Sequence, residues 1–480
     1  MLCGTDFGSD KHSLLVIYKS LIRSKIDYGA QVYANASPNR LKILENIQNK
    51  ALRIALRALP CTPACMFEEE AGILPLALRR RQQIINFWAR VQSRKIGNPV
   101  SDLFGTGFFI KAKYDNGKHT AMSFGAYTQS IVEEAGLKDV SVADLRPSKV
   151  PPWTLQDPSV DISISKKLTK SDLLHLVKAE TLSHIDQNYA EHLKIYTDGS
   201  KNPETGIVAC AFYIPSKNIK NIKRLSNHLS IFLAELLAIK DALDWVISNK
   251  PIHTAILSDS LSSLQSIQNR GSSSRPDLIK DILEQNNKCL EKNLKVTMVW
   301  VPAHVGLKGN EVVDGLAKEG LRRVEVNDPV PLAPTEVYSL ARRHVINEWR
   351  SARTPKTYIN TFDRTSVSLQ PPNNYSNFFR IDKCITRLRL GTSLLPGSAG
   401  KYILKSDPNC ARCGVTCDTS HILLHCDTYR GQRAELRAAL TFSGLDYNIN
   451  NILNPSKAAQ RSVFRSLAKF LVDCQITDKI

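Results

Sequence analysis

Between residues 192 and 320 the apolar pattern changes period repeatedly, and this switching limits the fold more than any other feature of the chain. "HLKIYTDGSK", "TGIVACAFYIPS", "RLSNHLSIFLAE", "HTAILSDS" and "LKVTMVWVPAH" are rich in β-forming residues. Helical runs lie among them: "LAELLAIKDALDWVIS", "SLSSLQSIQ" and "SRPDLIKDILEQNNKCLEK". Three early strands with short turns, then strands alternating with helices, predict an α/β fold around a mixed sheet of about five strands.

The acidic residues of this segment fall at element ends. Asp198 follows "KIYT" and Asp259 follows "HTAILS", so both stand at or near the ends of strands. Strand ends meeting at one edge of a sheet are where such folds build sites. Glu235 lies on a helix whose Phe232, Leu236, Ile239, Leu243 and Val246 should face the core, which puts it at the margin of that face. Asp314 comes early in the last helix. Singly, each has an ordinary structural explanation as a turn, strand-end or solvated acid. Four carboxylates brought together would repel one another unless cations neutralised them. Hard oxygen ligands suit Mg²⁺, which keeps waters and shares phosphate oxygens with a substrate. Two such ions about 4 Å apart clamp the attacking and leaving oxygens of a phosphoryl displacement. His304 ends the last strand ten residues before Asp314, and Gly306 and Gly309 are expected to free its loop.

"YTDGS", "AELLAIKDAL", "LSDSLSSLQSI" and "VPAHVGLKGNEVVDGLAK" resemble, in order and spacing, the four signature blocks of type 1 ribonuclease H. The resemblance implies a ribonuclease-H-like sheet. It implies that Asp198, Glu235, Asp259 and Asp314 are catalytic and hold two Mg²⁺ ions, with Mn²⁺ as a substitute. It further implies that His304 is a flexible catalytic histidine and that the RNA strand of an RNA–DNA hybrid is hydrolysed. Ser200, Asn202 and Ser260, beside the acids, are candidate contacts to the hybrid backbone. Some members of that family carry a basic helix and loop that grips the hybrid. Here the corresponding stretch, "SSSRPDLIKDILEQNNKCLEKNLK", is of mixed charge, so hybrid affinity is expected to depend on other basic regions.

Those regions flank the sheet segment. Of 480 residues, 64 are Lys or Arg and 45 Asp or Glu, a net charge of +19 with the excess concentrated near both ends. Basic flanks suit nucleic acid, with counterion release supplying sequence-blind affinity. No apolar run reaches the length of a membrane span and no secretory leader is recognisable. The expected location is therefore intracellular, nuclear or cytoplasmic.

The pattern divides the chain into four segments. Residues 1–110 read as helical, with a break at Ser37-Pro38-Asn39 and an apolar stripe at Leu41, Leu44, Ile47, Ala51 and Ile54. Residues 111–190 read as a proline-marked linker, through Pro147, Pro151, Pro152 and Pro158, with one short helix capped by Ser171. Residues 191–325 hold the sheet. Residues 326–480 read as a basic helical tail containing a Cys/His cluster at 410–426.

Within that cluster, "CARCGVTCDTSHILLHC" gives Cys410-x2-Cys413 and His421-x4-Cys426. Two ligands on a tight knuckle and two on a following helical turn suit a structural Zn²⁺, because four protein ligands leave no open position. Cys417 and His425 are rival ligands. A zinc knuckle of this kind often contacts nucleic acid. The stretch "IDKCITRLRLGTSLL" with the cluster, and "LLVIYKSLIRSKIDYGAQVY" near the start, resemble the last third of non-LTR retrotransposon polyproteins of the Jockey or I-element type, in which residues 1–110 would be the end of the reverse transcriptase. The paired aspartates of a polymerase palm are missing, since the sequence contains no Asp-Asp dipeptide. The expected activity is hybrid ribonuclease alone. The alternative is an inactive nucleic-acid-binding fragment of a decayed element; an integrase-type nuclease fits the Glu and His positions less well.

Overall fold

The computed structural model describes every residue except 1–7, 95–97, 106–111, 115–118, 146–149, 152–153, 168–172, 328, 353–373 and 377. The chain divides into two compact units. One comprises Met1–Ile84, Lys111–Met122 and Arg342–Ile480, and the other Ile85–Ile110 and Ser123–Ala341. Among the described residues no helix is long and apolar enough to cross a membrane.

The second unit contains a six-stranded mixed sheet. Its strands are β1 (Ser159–Asp161), β2 (Leu193–Lys201), β3 (Val208–Ile214), β4 (Ile219–Leu225), β5 (His253–Ser258) and β6 (Lys295–Trp300), in the spatial order β1-β6-β5-β2-β3-β4. β2, β3 and β4 form an antiparallel meander, and β1, β6, β5 and β2 are mutually parallel. Among its helices are α1 (Leu174–Tyr189), α2 (Ile231–Asn249), α3 (Leu261–Gln268), α4 (Pro276–Glu291) and α5 (Lys308–Gly320). The α/β class and mixed sheet follow the sequence pattern, with one strand more than expected.

The extra strand comes from the stretch expected to be linker. β1 pairs Val160 with Met298, and Asp161 anchors it to α1. Its Oδ2 lies 2.7 Å from His184 Nε2 and accepts from the Tyr189 hydroxyl at 2.7 Å. A three-residue strand has too little alternation to declare itself in a proline-rich sequence. The expected Ser171 cap lies outside the described residues, as do Pro147 and Pro152. α1 buries Val177, Thr181, Ile185 and Tyr189, one residue every fourth position. Ile185 and Tyr189 of that stripe pack with Leu257, Val299, Val301 and Leu307 over β5, β6 and the loop beyond β6.

α2 is buried almost all round in its first turns, from Leu233 to Ile239. A helix apolar on every side needs cover on every side, and the sheet and α4 supply it. Phe232, expected in the core face, is instead only partly buried and borders the cleft described below.

In the first unit, Ser37 precedes a helix of Pro38–Leu56 with Pro at its first turn, as the break predicts. Its buried face is Gln48, Leu52, Ala55 and Leu56, whereas Ile47 and Ile54 of the expected stripe are exposed. The face is turned by a polar residue. Gln48 accepts from the Tyr18 hydroxyl at 2.6 Å and donates to the Leu74 carbonyl at 3.2 Å. Counting apolar residues alone cannot find a face centred on a satisfied glutamine. In the tail, helices Phe379–Arg389, Arg433–Phe442 and Gln460–Asp473 share one apolar core that includes Leu388, Leu436, Leu440, Leu467 and Phe470.

Candidate functional site

Strand register brings the first two acids together. The parallel pairing of β2 with β5 ends at Thr197 opposite Ser258, so Asp198 and Asp259 are the next residue on each strand. Glu235 reaches them because Gly199 has no side chain. A Cβ on Gly199 would stand 2.7 Å from the Glu235 amide nitrogen and 2.8 Å from Ala234 Cβ. The glycine lets the first turn of α2 lie flush on β2, which buries Glu235 instead of leaving it at a margin. One carboxylate oxygen from each of Asp198, Glu235 and Asp259 lies within 4.8 Å of the other two.

Asp314 borders the same cleft but is not in this triad. It pairs with Lys318, one helical turn on, at 2.7 Å. The acids therefore converge with one basic partner, Lys318, beside them. His304, Ser200, Ser260, Ser262, Phe232 and Lys201 are among the other residues that line this open cleft of 390 Å³. Asn202 is not in that lining. Its side-chain oxygen accepts from the amides of Glu204 and Thr205, at 2.9 and 3.1 Å, and closes the β2–β3 turn.

The electrostatics follow from burial and like charge. Burial, then the charges of Asp259 and Asp314, push the Asp198 carboxyl up to about 8, against lesser opposition from the Gly199 amide and Lys318. Glu235 is pushed well above the carboxylate range by burial and then by Asp198 and Asp259. Asp259 is raised by burial and Asp314, while Asn310 and His304 hold it down. Glu235 Oε2 is buried with no hydrogen-bond partner. Three crowded hard-oxygen donors, one with an unsatisfied buried atom, fit divalent cations with oxygen coordination.

Four supporting residues were not picked out from the sequence. Asn310 Nδ2 donates to Asp259 Oδ2 at 3.2 Å, and Trp300 Nε1 donates to the Asp259 carbonyl at 3.1 Å. Lys318 and Gly199 are the others. Asn310, Asp314 and Lys318 recur every fourth residue, so a helical projection of α5 puts them on one face. That spacing was the available signal.

His304 is exposed, at the turn after β6, with a left-handed φ of 56°. Gly306 follows at φ 80°, a conformation that glycine adopts freely. Gly309 has a different role from the one expected. A Cβ there would stand 2.3 Å from the Tyr196 ring, so this glycine seats α5 against β2 and does not free the loop.

The Cys/His cluster lies in the first unit. One ligand atom from each of Cys410, Cys413, His421 and Cys426 lies within 4.8 Å of the others. The Gly414 amide donates to the Cys410 carbonyl at 2.8 Å, and the Cys410 amide to the Val415 carbonyl at 2.8 Å, which forms the knuckle. His421 and Cys426 are joined by one π-helical turn, His421–His425, in which the Cys426 amide donates to the His421 carbonyl at 2.8 Å. The sulfurs of Cys410 and Cys426 are 3.8 Å apart. A disulfide needs about 2.05 Å, whereas two thiolates on one tetrahedral Zn²⁺ stand about 3.8 Å apart given Zn–S bonds of about 2.3 Å. His421 Nε2 is buried without a hydrogen-bond partner. The rivals stand apart. Cys417 is outside the cluster, and burial raises its thiol to about 11. His425 is exposed and faces a groove with Arg430 and Arg437.

Residues 190–322 match the family model described as RNase H. The chain thus carries an RNase H domain over this segment, with the α/β mixed sheet that the family implies.

Proposed function

We propose that the chain is an endoribonuclease that hydrolyses the RNA strand of RNA–DNA hybrids. The observation that carries this reading is the buried triad Asp198, Glu235 and Asp259 at one sheet edge, inside the segment that matches the RNase H family. Asp198, Glu235, Asp259 and Asp314 would hold two Mg²⁺ or Mn²⁺ ions. When bound, such ions lower the pKa of a water and neutralise charge on the scissile phosphate.

The chain's own groups serve that chemistry. Asn310 and Trp300 fix Asp259 from its carboxylate and its carbonyl, and Gly199 sets Glu235 against the sheet. Lys318 holds Asp314 at the cleft wall. His304, exposed on a turn and not a ligand, carries a proton toward the departing 3′ oxygen. His304→Ala should slow turnover about 10²-fold or more and leave hybrid binding within a factor of two. Ser200 and Ser260 line the cleft and contact the hybrid backbone, where 2′-hydroxyls distinguish RNA from DNA.

We further propose that Cys410, Cys413, His421 and Cys426 hold a structural Zn²⁺. The basic regions at residues 1–110 and 326–480 supply nucleic-acid affinity, and the chain derives from the last third of a non-LTR retrotransposon polyprotein acting inside the cell. In that scheme residues 1–110 are the end of a reverse transcriptase, 191–325 the nuclease, and 326–480 a knuckle-bearing tail.

The test is substrate selectivity. Labelled hybrid, single-stranded RNA and duplex DNA are incubated with the full chain and Mg²⁺. Cleavage confined to the RNA of the hybrid is the expected result. Binding of hybrid without turnover would instead favour a decayed, non-catalytic fragment.

A further inference from the structure

The RNase H match begins at residue 190, immediately after α1. That helix nevertheless returns to the catalytic end of the sheet. Its last turn is beside the start of β5, where Tyr189, His192 and His253 meet edge to face, with ring centroids 5.3 and 5.4 Å apart. Its first turns lie by the loop that follows β6. There the Lys178 ammonium sits over the backbone of Gly306, where a Cβ built on that glycine would stand 3.2 Å from Nζ. α1 therefore runs antiparallel to β5 and brings Lys178 to the loop that carries His304, two residues from Gly306.

Lys178 is well placed for an outside ligand. It is exposed and flanks the buried stripe at Val177 and Thr181, so α1's packing fixes its backbone while its charge faces solvent. Among the described residues, no carboxylate lies within ion-pair distance of it. Glu311 Oε1 lies 3.7 Å from the same built Cβ position on Gly306, without forming an ion pair with Lys178. A lysine ammonium is a compact point charge whose usual partner on a polyanion is a phosphate oxygen.

We propose that Lys178 is a substrate-binding residue of this nuclease, supplied from outside the RNase H domain, that contacts a backbone phosphate of the hybrid beside the His304 loop. This rests on the hybrid-nuclease reading above. It adds a cation beside the His304 loop to Lys201 and Lys318, which line the cleft itself.

The experiment compares the full chain with Lys178→Ala, Lys178→Arg and Lys178→Glu. KM and kcat are measured on a labelled hybrid at fixed Mg²⁺. Hybrid binding is followed against salt in the Asp198→Asn background. Lys178→Ala should raise KM by about three- to tenfold, with most of the loss in KM, and Lys178→Glu should raise it further. The slope of log K against log salt should fall by about one contact's worth, roughly 0.7 to 0.9. Lys178→Arg should restore both. An unchanged KM and salt slope in Lys178→Ala would overturn the proposal. So would a loss in kcat alone with the salt slope intact, which would make Lys178 a brace for the His304 loop. Absence of cleavage by the unsubstituted chain would instead defeat the nuclease reading, and the salt slopes would still decide on Lys178.

Discussion

The two ligand clusters of this chain obey opposite physics. At the sheet edge, carboxylates are pressed together and buried, so the metal-free fold works against their charge. In the tail, three cysteines and a histidine close around one point, between a knuckle and a π-turn that also buries Ile422 and Leu423 in the tail core. The first cluster is formed by elements that stand without any ion: a register end, a glycine contact, a buried helix. In the second, the π-turn is anchored in the core, but the knuckle of Cys410 and Cys413 is a short, partly exposed turn that a shared ion would tie to it. A site built on a scaffold and a site that is the scaffold should respond with opposite sign when a ligand is removed.

The largest effect is expected in the tail. Structural Zn²⁺ sites contribute on the order of 10 kcal/mol of apparent binding free energy at neutral pH. Cys413→Ser should abolish stoichiometric zinc and remove hydrogen-exchange protection across residues 410–426. Cys417→Ser should keep the metal. Retention of zinc in Cys413→Ser with its loss in Cys417→Ser would reverse the ligand assignment.

Next in size are the close approaches that build the carboxylate site. Gly309→Ala drives a methyl into Tyr196, and Gly199→Ala meets the Glu235 backbone. Overpacking of this kind costs about 1–3 kcal/mol. Both variants should melt at lower temperature. Gly199→Ala should also lose metal-dependent activity, since it displaces Glu235. A Gly309→Ala protein as stable as the parent would return that glycine to the role of loosening the loop.

The smallest effect has the opposite sign. Burial and the charges of Asp259 and Asp314 push the folded Asp198 carboxyl up to about 8, from an ordinary 3.8. Between those values the folded state holds a proton that the unfolded chain has released. Metal-free stability from this group is therefore full below about pH 4 and is lost as pH rises toward 8. Asp198→Asn should remove this pH dependence and raise the metal-free melting temperature at pH 8 by roughly 2–4 °C, about 1 kcal/mol. A fall in melting temperature would mean that the carboxylates are not in mutual conflict.

What the sequence disclosed follows the same division. Asp198 and Asp259 were legible because strand ends are readable from apolar runs, and Cys410, Cys413, His421 and Cys426 because their spacing is local. Glu235 was legible as a residue but not in its burial, which depends on Gly199 across the sheet. Asn310 and Lys318 went unread although they recur on one face of α5, because neither type signals a ligand by itself. The edge strand at Ser159–Asp161 and the Gln48-centred helix face were not legible. Both depend on tertiary partners, His184 and Tyr189 for the one, Tyr18 and Leu74 for the other.

The central claim is that the carboxylate triad is a divalent-cation site that cuts RNA paired to DNA. It is tested most directly by comparing the full chain with Asp198→Asn on a labelled hybrid, with and without Mg²⁺. The account predicts Mg²⁺-dependent cleavage of the RNA strand by the parent and a loss of about a thousandfold or more in the variant, with hybrid binding retained. Cleavage that persists in Asp198→Asn, or that proceeds equally after chelation of Mg²⁺, would contradict it.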